Sequence, residues 1–438
     1  MASSFKPLMP LDEAWAKLQT ALEAHVASPA GQRKTEVVDS FDALGRVLAL
    51  SLVSTVDVPP LDNSAMDGYA VCAADLSHAG QAGADAALAT LPQAQRIAAG
   101  QVGAALRPGH CARIFTGAPV PAGADAVVMQ EHTVPGTLEG SVHFTQPVVL
   151  GQNIRLRGED IAQGQTVLSP GLRLSAAALG VAASVGASEL TVFKRPRVAV
   201  LTTGNELVMP GEPLPAGAIF NSNRHTLHGL VQACGAVSHD LGIVPDQIDA
   251  TRAALRQAAQ HSDLVISSGG VSVGEEDHLR AAVMAEGSLD FWALAIKPGK
   301  PFVFGWLNRP DGSRALYMGL PGNPVASFIT FLLLARPVLA VLAGEAWSLP
   351  QALQLTADFD WPKPERRREF VRAALTPEGR VSLYPHQGSG VLTSAVWAAG
   401  VVDLAPNATV QAGDTVRYIP LAELLQPALA ARQGLAKA

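Results

Sequence analysis

The sequence predicts a multidomain α/β protein: a three-layer α/β/α domain on a mostly parallel sheet, a mostly-β module inserted ahead of it, and a small β-barrel at the C-terminus. Three observations lead there. Between residues 197 and 335, short apolar runs alternate with helical ones, as in a parallel sheet covered on both faces. Residues 54–162 are instead rich in Gly, Pro and short β-like runs, and beyond Leu349 the helical patterning stops. A length of 438 residues suits two to four domains.

The first helix is marked by Leu11, Trp15, Leu18, Leu22 and Val26, three or four residues apart, and is ended by Pro29 and Gly31. TEVVDSFDALGRVLAL reads as a strand followed by a short helix over 44–48. In the β-like region, YAVCA, ARIFT, AVVMQ, SVHFT and QPVVL read as strands between turn signals such as PAGAD and RPGH. HAGQAGADAALATL reads as a surface loop, and 172–186 as an Ala-rich helix. The sheet domain then opens with the buried strand RVAVLTT. The helix RHTLHGLVQAC follows, stopped by Gly235, and then the strand AVSHDLGIV. Asp246 is placed to cap the helix QIDATRAALRQAAQ. The strand DLVISS runs into Gly269-Gly270. The helix DHLRAAVMAE is stopped by Gly287, and ALYMGL leads through a PGNP turn into VASFITFLLLA. At the C-terminus LQLTADFDW, REFVRAAL, RVSLYP and TVRYIPL are strands, with turns at PEGR and QAGD.

Composition excludes several classes. Residues are 48% hydrophobic but only 5% aromatic, so small aliphatic side chains must fill the core. The net charge of −6 gives no basic footprint for nucleic acid. Cys72, Cys111 and Cys234 form no CxxC pair, which removes zinc-ribbon and redox readings and fits a reducing cytosol. The N-terminus lacks the basic-then-apolar order of a signal peptide. The greasiest run, 328–342, is interrupted by Arg336-Pro337 and reads as a core helix rather than a membrane span. These features predict a cytoplasmic protein with neither membrane nor nucleic acid as partner.

Three loops leave the carboxyl ends of the strands, where ligands bind in such sheets. They are TTGNE (202–206), SSGGVSVGEED (267–277) and GLPGNP (319–324). Glycines let backbone N–H groups approach an anion, and Ser267, Ser268 and Ser272 add hydroxyls. One such loop is an ordinary tight turn; three on one sheet edge point to a ligand site. GxGxxG and GxxxxGK[ST] are both absent, so dinucleotide and P-loop readings lose their support. Glu275, Glu276 and Asp277 beside the glycines suit either a helix N-terminus or a hard cation bridging to phosphate. KPGKP carries Lys297 and Lys300, point charges suited to oxyanions. RRREFVR (366–372) reads mostly as a solvated edge. PPLDNSAMDGYAV holds Asp62 and Asp67, and RLRGED holds Glu159 and Asp160.

Taken in order, DNSAMDGYA, IFTGAPVPAGADAVVMQE, GQNIRLRGEDI, TTGNEL, VISSGGVSVGEED, AIKPGKPFVFG, GLPGNPVAS and HQGSG closely resemble the molybdopterin molybdenumtransferase family, which includes the E domains of proteins such as gephyrin. The resemblance runs from about Leu11 to Pro420. It implies cleavage of adenylylated molybdopterin in a Mg²⁺-dependent step and insertion of molybdenum from molybdate, giving molybdenum cofactor and AMP. It implies four domains: 1–34 with 195–349, a discontinuous linking domain of 35–53 with 163–194, the β module 54–162, and the barrel 350–438. It also implies a homodimer with clefts shared between chains, and molybdopterin adenylyltransferase and molybdoenzyme chaperones as further partners.

Its functional positions fall on Asp67, Thr116, Asp160, Glu206, Asp246, Asp277, Lys297, Lys300, Pro321, Pro324, Arg372 and Ser389. On this reading Asp277 and Glu206 hold the metal. Lys297, Lys300, Arg372 and Ser389 bind molybdate. The loop of Ser267, Ser268, Gly269, Gly270 and Ser272 grips the pterin phosphate, and Pro321, Gly322, Asn323 and Pro324 also bind substrate. The sequence departs from the family's habit at three places: Asn205 and Asn221, where Asp is common, and Ala326, where a hydroxyl is frequent.

Overall fold

A computed structural model describes residues 8–77, 89–270, 278–291 and 293–426. It divides into two compact units, Met1–Leu50 with Ser169–Ala176 and Glu189–Ala438, and Ser51–Leu168 with Ala177–Ser188.

The larger unit is built on a six-stranded mixed sheet. Its order is Val237–Val244, Arg197–Thr203, Leu264–Ser268, Arg314–Leu320, Val303–Asn308 and Gly287–Phe291. The first four strands are parallel, as their sequence predicts, and the last two are antiparallel additions. Alternate residues along each strand enter two different cores, because side chains on a strand point to opposite faces. Val198, Val200, Leu264, Ile266, Leu316 and Met318 pack with the helices Leu11–Ala27 and Ser222–Ala233. Ala199, Leu201, Val265 and Tyr317 pack with Ile248–His261 and His278–Glu286. The periodicity of the first helix is that of its buried face: Leu11, Trp15, Leu18 and Leu22 are all covered.

The apolar run after PGNP is longer than expected. Pro324–Thr330 passes through a π turn, Phe331–Ala335, into Arg336–Ala343 without the break expected at Arg336-Pro337. Pro337 lies in the first turn of the last segment, where a missing N–H costs little, and the wider turn ahead accommodates its ring. The Leu333 carbonyl in that turn accepts the Trp15 indole N–H at 2.8 Å. The 20-residue helical run is long and apolar enough to cross a bilayer by composition, but it is buried in the first core.

The C-terminal sheet runs Ile296–Lys297, Arg368–Leu375, Gly400–Leu404, Thr415–Pro420 and Leu353–Thr356, with Val381–Leu383 paired to Arg368–Leu375. Helices do not stop at Leu349: Thr393–Trp397 and Leu421–Leu425 flank this sheet. Residues 44–48 are not helical either. Gly45 is left-handed at φ 73°, and Val47 and Leu48 are extended, bridging Arg173 and Val192. Thr35–Asp39 pairs antiparallel with Glu189–Phe193.

The smaller unit carries a six-stranded sheet in the order Ala126–Met129, Gly68–Val71, Cys111–Ile114, Thr90–Ile97, Ser141–Phe144 and Thr133–Pro135. QPVVL is not one of its strands; it leads into a turn in which the Gln152 N–H bonds Val149 O. Most of HAGQAGADAALATL lies outside the described residues.

Candidate active site

At the carboxyl ends of the parallel strands a cleft of about 760 Å³ opens, all of it within the larger unit. The three glycine loops meet there. Gly269 has φ 90°, and a side chain on it would come within 2.6 Å of Thr203 O. Gly322 lies against Gly269 in turn. At Gly269 the left-handed backbone and the approach to Thr203 require a residue without a Cβ. Of the residues singled out from the sequence, Glu206, Asp246, Ser268, Gly269, Gly270, Lys297, Lys300, Pro321, Gly322, Asn323, Pro324 and Ser389 line the cleft. Asp246 is free to do so because it does not cap the following helix, whose N-cap is Gln247.

The C-terminal sheet closes one side. The strand Ile296–Lys297 pairs with Arg368–Leu375, which draws KPGKP to that sheet. The Val325 N–H donates to Ser389 O at 2.9 Å, fixing HQGSG against the start of the long helix.

Several predicted ligands serve the scaffold instead. Ser267 is fully buried, does not line the cleft, and bonds the Tyr317 hydroxyl at 2.7 Å. The Ser268 hydroxyl donates to Pro321 O and accepts from Asn223 Nδ2. Asn223 Nδ2 also donates to Gly322 O at 2.7 Å, so it braces two of the loops, and its Oδ1 is buried with no protein partner. Asn223 and Gln387 were not singled out from the sequence; FNSN and HQGSG were their only signal.

Arg372 is 1% exposed and faces the interior rather than the cleft. It donates to Ser394 Oγ, Phe370 O and Gly388 O, while its backbone N–H bonds Gln387 Oε1. Burial pushes its guanidinium down to about 10, still charged at neutral pH. Its position makes it a support for the 387–389 loop.

The cations are not equivalent. Lys297 Nζ is 2.9 Å from Glu369 Oε1 and 3.6 Å from Glu365 Oε2. Arg367 grips Glu365 with two hydrogen bonds, which, with Lys297 beyond, hold that carboxyl down at about 2. Among the described residues lining the cleft, Lys300 is the cation with no acidic partner. The solvated edge expected for 366–372 holds for Arg366 alone among its arginines; Arg368 is clamped by Asp403 and stacks over Trp15.

The Asn221 departure has a physical reading. Its Nδ2 donates to Thr202 Oγ1 at 2.7 Å while its Oδ1 caps Arg224 N. A carboxylate could cap but could not donate. Asn205 is exposed and outside the cleft lining. Ala326 lines the cleft, and the neighbouring Ser327 hydroxyl is buried without a partner.

In the smaller unit Asp67 and Thr116 come together: Asp67 Oδ1 accepts both the backbone N–H and the hydroxyl of Thr116 at 2.8 Å. Those bonds, led by the backbone one, hold the Asp67 carboxyl below its ordinary value. Asp62 and Glu159 staple turns by accepting Arg157 N and Leu156 N, whereas the Asp160 side chain is exposed. Ser272 and Asp277, with Glu275 and Glu276, lie outside the described residues.

Comparison with known proteins fits this arrangement. Family profiles match over nearly the whole chain: the MoeA N-terminal region (domains I and II) at 9–186, a probable molybdopterin binding domain at 199–341, and the MoeA C-terminal region (domain IV) at 354–421. The chain is 37% identical to the molybdopterin molybdenumtransferase of Haemophilus influenzae over 399 residues, covering 90% of this chain and 95% of that one. It belongs to the molybdopterin molybdenumtransferase (MoeA) family. A MoeA-family relative from Nostoc sp. is 38% identical over 318 residues, 72% of this chain and 71% of that one. The molybdopterin biosynthesis MoeA protein of Pyrococcus horikoshii superposes with a TM-score of 0.78 at 27% identity, over 94% of this chain and all of that one. MoeA membership accounts for the succession of three matched regions along the chain.

Proposed function

We propose that this chain is a molybdopterin molybdenumtransferase: it binds adenylylated molybdopterin, cleaves the adenylate to release AMP, and transfers molybdenum from molybdate to the dithiolene. The observation that carries this reading is the cleft itself. Three glycine loops abut at the carboxyl edge of the sheet, opposite a lysine turn and the HQGSG loop. Close backbone approach suits a phosphorylated ligand. Lys300, with no acidic partner among the described residues, offers its ammonium to an oxyanion, and Ser389 is held beside the loops by its main-chain bond to Val325. Asp67 and Asp160, on the smaller unit, belong to the same reading through the family motifs.

Among the described residues no group of three or more His, Cys, Asp or Glu side chains is gathered for a metal, so a divalent cation would depend on substrate phosphates as well as on carboxylates. Hard cations such as Mg²⁺ use one or two carboxylates together with substrate phosphates, and Glu206 and Asp246 are the carboxylates lining the described cleft. Glu206, with Asp277, would hold it; when bound it supplies charge neutralisation at the phosphates. In this reading the larger unit holds a three-layer α/β/α domain (1–34 with 195–349) and a C-terminal barrel (350–438). The rest is the linking domain (35–53 with 163–194) and the β module (54–162), and a cytoplasmic homodimer shares two clefts. The test is turnover of adenylylated molybdopterin with molybdate, with and without Mg²⁺, reading AMP and active cofactor. AMP release without cofactor formation would leave an adenylate hydrolase in its place.

A further inference from the structure

A second cavity, of about 650 Å³, lies at the other edge of the main sheet, where the parallel strands begin. Arg197 and Arg314 are the first residues of their strands, and Asp263 immediately precedes Leu264–Ser268. The chain entering from the first helix adds Arg33 and Lys34, the segment before Arg197 adds Lys194 and Arg195, and the 309–314 turn adds Arg309. Two carboxylates line the same space, and both are spent on the scaffold. Asp263 accepts the Arg197 backbone N–H at 2.8 Å, and Asp311 accepts the Ser313 N–H and hydroxyl. Among the described residues, none of the Lys or Arg side chains lining this cavity is in a salt bridge.

These cations are held in place without acids. The Arg309 guanidinium donates to Ala259 O and Ser262 O, both at 2.6 Å, and to Ser313 Oγ. Arg33 donates to Val341 O and lies 4.8 Å from the Phe193 ring centre. Arg314 lies 4.9 Å from the Trp306 ring, against which His25 packs. Burial pushes both Arg33 and His25 below their ordinary values, and for His25 the charges of Arg309 and Arg314 add to that while Asp263 opposes it. Gathering like charges around one concavity costs stability and focuses a positive field into it. An anion offsets that cost.

We infer that this cavity is a second anion site, taking a small molecule with two or more linked phosphate groups. Its volume is that of a small-ligand pocket, and it is ringed by guanidinium forks from three separate stretches of chain. An oligophosphate carries more charge and more acceptor oxygens than a single phosphate, and so can meet more of these cations at once. Inorganic triphosphate and the phosphate tail of a nucleoside triphosphate share this chemistry. The inference does not rest on the reaction proposed for the cleft.

Calorimetric titration of the full-length protein at physiological salt, with tripolyphosphate, ATP, AMP and orthophosphate, tests it. Three proteins are compared: wild type, a Lys194→Gln/Arg195→Gln/Arg314→Gln triple variant, and Lys300→Ala in the cleft. All three substituted residues of the triple variant are exposed, so its fold should persist, checked by its thermal transition. Tripolyphosphate and ATP should bind with AMP and orthophosphate much weaker, and the triple variant should weaken binding by roughly a thousandfold, at about tenfold for each of the three cations removed. Lys300→Ala should leave this titration unchanged. ATP tighter than tripolyphosphate would seat a nucleoside as well; equal affinity would make the phosphates sufficient. Absence of binding at millimolar oligophosphate, or equal binding by wild type and triple variant, would overturn the inference. So would loss of binding in Lys300→Ala alone, because that would return the anion to the cleft.

Discussion

Substituting Lys297 by Met separates two roles that converge on one side chain. Lys297 lines the cleft, yet its ammonium is paired with Glu369, a residue 5% exposed whose other carboxylate oxygen accepts the Trp361 indole N–H. Two unit charges 4 Å apart attract by about 4 kcal/mol at an effective dielectric of 20. Lys297 keeps 44% of its side chain in solvent, and that screening brings the pair down to about 1–2 kcal/mol. Lys297→Met should therefore lower the melting temperature by about 1.5–3 °C. Glu369→Gln keeps an acceptor for Trp361 and removes the charge, so adding it to Lys297→Met should recover most of the loss, with a coupling of about 1–2 kcal/mol. Thermal denaturation of the four proteins gives that cycle. Molybdate titrations of AMP release on the same four give the other role. If Lys297 also holds molybdate, both Lys297→Met proteins need roughly tenfold more molybdate. If it serves only to neutralise Glu369, the double variant regains the wild-type dependence. Strictly additive melting shifts would refute the pair and the reasoning with it.

Arg372→Met should lower stability by about 3 kcal/mol, since it strands the carbonyls of Phe370 and Gly388; its molybdate requirement should rise only as far as the 387–389 loop loosens, and a large rise in a variant of unchanged stability would put Arg372 in contact with substrate after all. Thr116→Val removes one of two donors to Asp67, so the Asp67 carboxyl should titrate nearer its ordinary value by NMR; because the folded value is the lower one, its contribution to stability is present above the unfolded pKa and is lost as pH falls through the folded one, and an unmoved titration would discard the Thr116 hydroxyl as the cause. Co-expressed Asp67→Asn and Asp277→Asn chains should recover activity that neither homodimer has, in about a quarter of all clefts if subunits mix randomly; no recovery with mixed dimers present would place each cleft within one chain.

The sheet was legible where local pattern and tertiary role agree. RVAVLTT, DLVISS and ALYMGL are buried on both faces, so each is a continuous apolar run ending at a glycine or proline loop, and the cleft follows from where those runs end. Strand Val303–Asn308 was hidden behind KPGKP and Gly305, and Gly287–Phe291 behind a glycine that ends one element and starts the next. Leu44–Leu48 carries a helix-like pattern that a left-handed Gly45 and pairing to distant segments override. In the site, residue identity was readable but direction was not. Nothing local tells that Ser267 turns toward Tyr317, that Arg372 points inward, or that Lys297 faces Glu369 across a strand pair. Those directions are set by partners tens of residues away.

The indole bond from Trp15 to Leu333 O spans 318 residues of chain. A ribosome releases the first helix early and the greasy helix that it covers last but for the C-terminal sheet. In between it delivers the whole of Ser51–Leu168, an uninterrupted stretch with its own cores. That stretch can fold as it emerges, while the opening helix waits with Leu11, Leu18 and Leu22 uncovered. Vectorial synthesis thus leaves the opening helix without its cover until Leu333 has been made, and leaves the main core incomplete until Phe370, Val401 and Ile419 of the C-terminal sheet have followed.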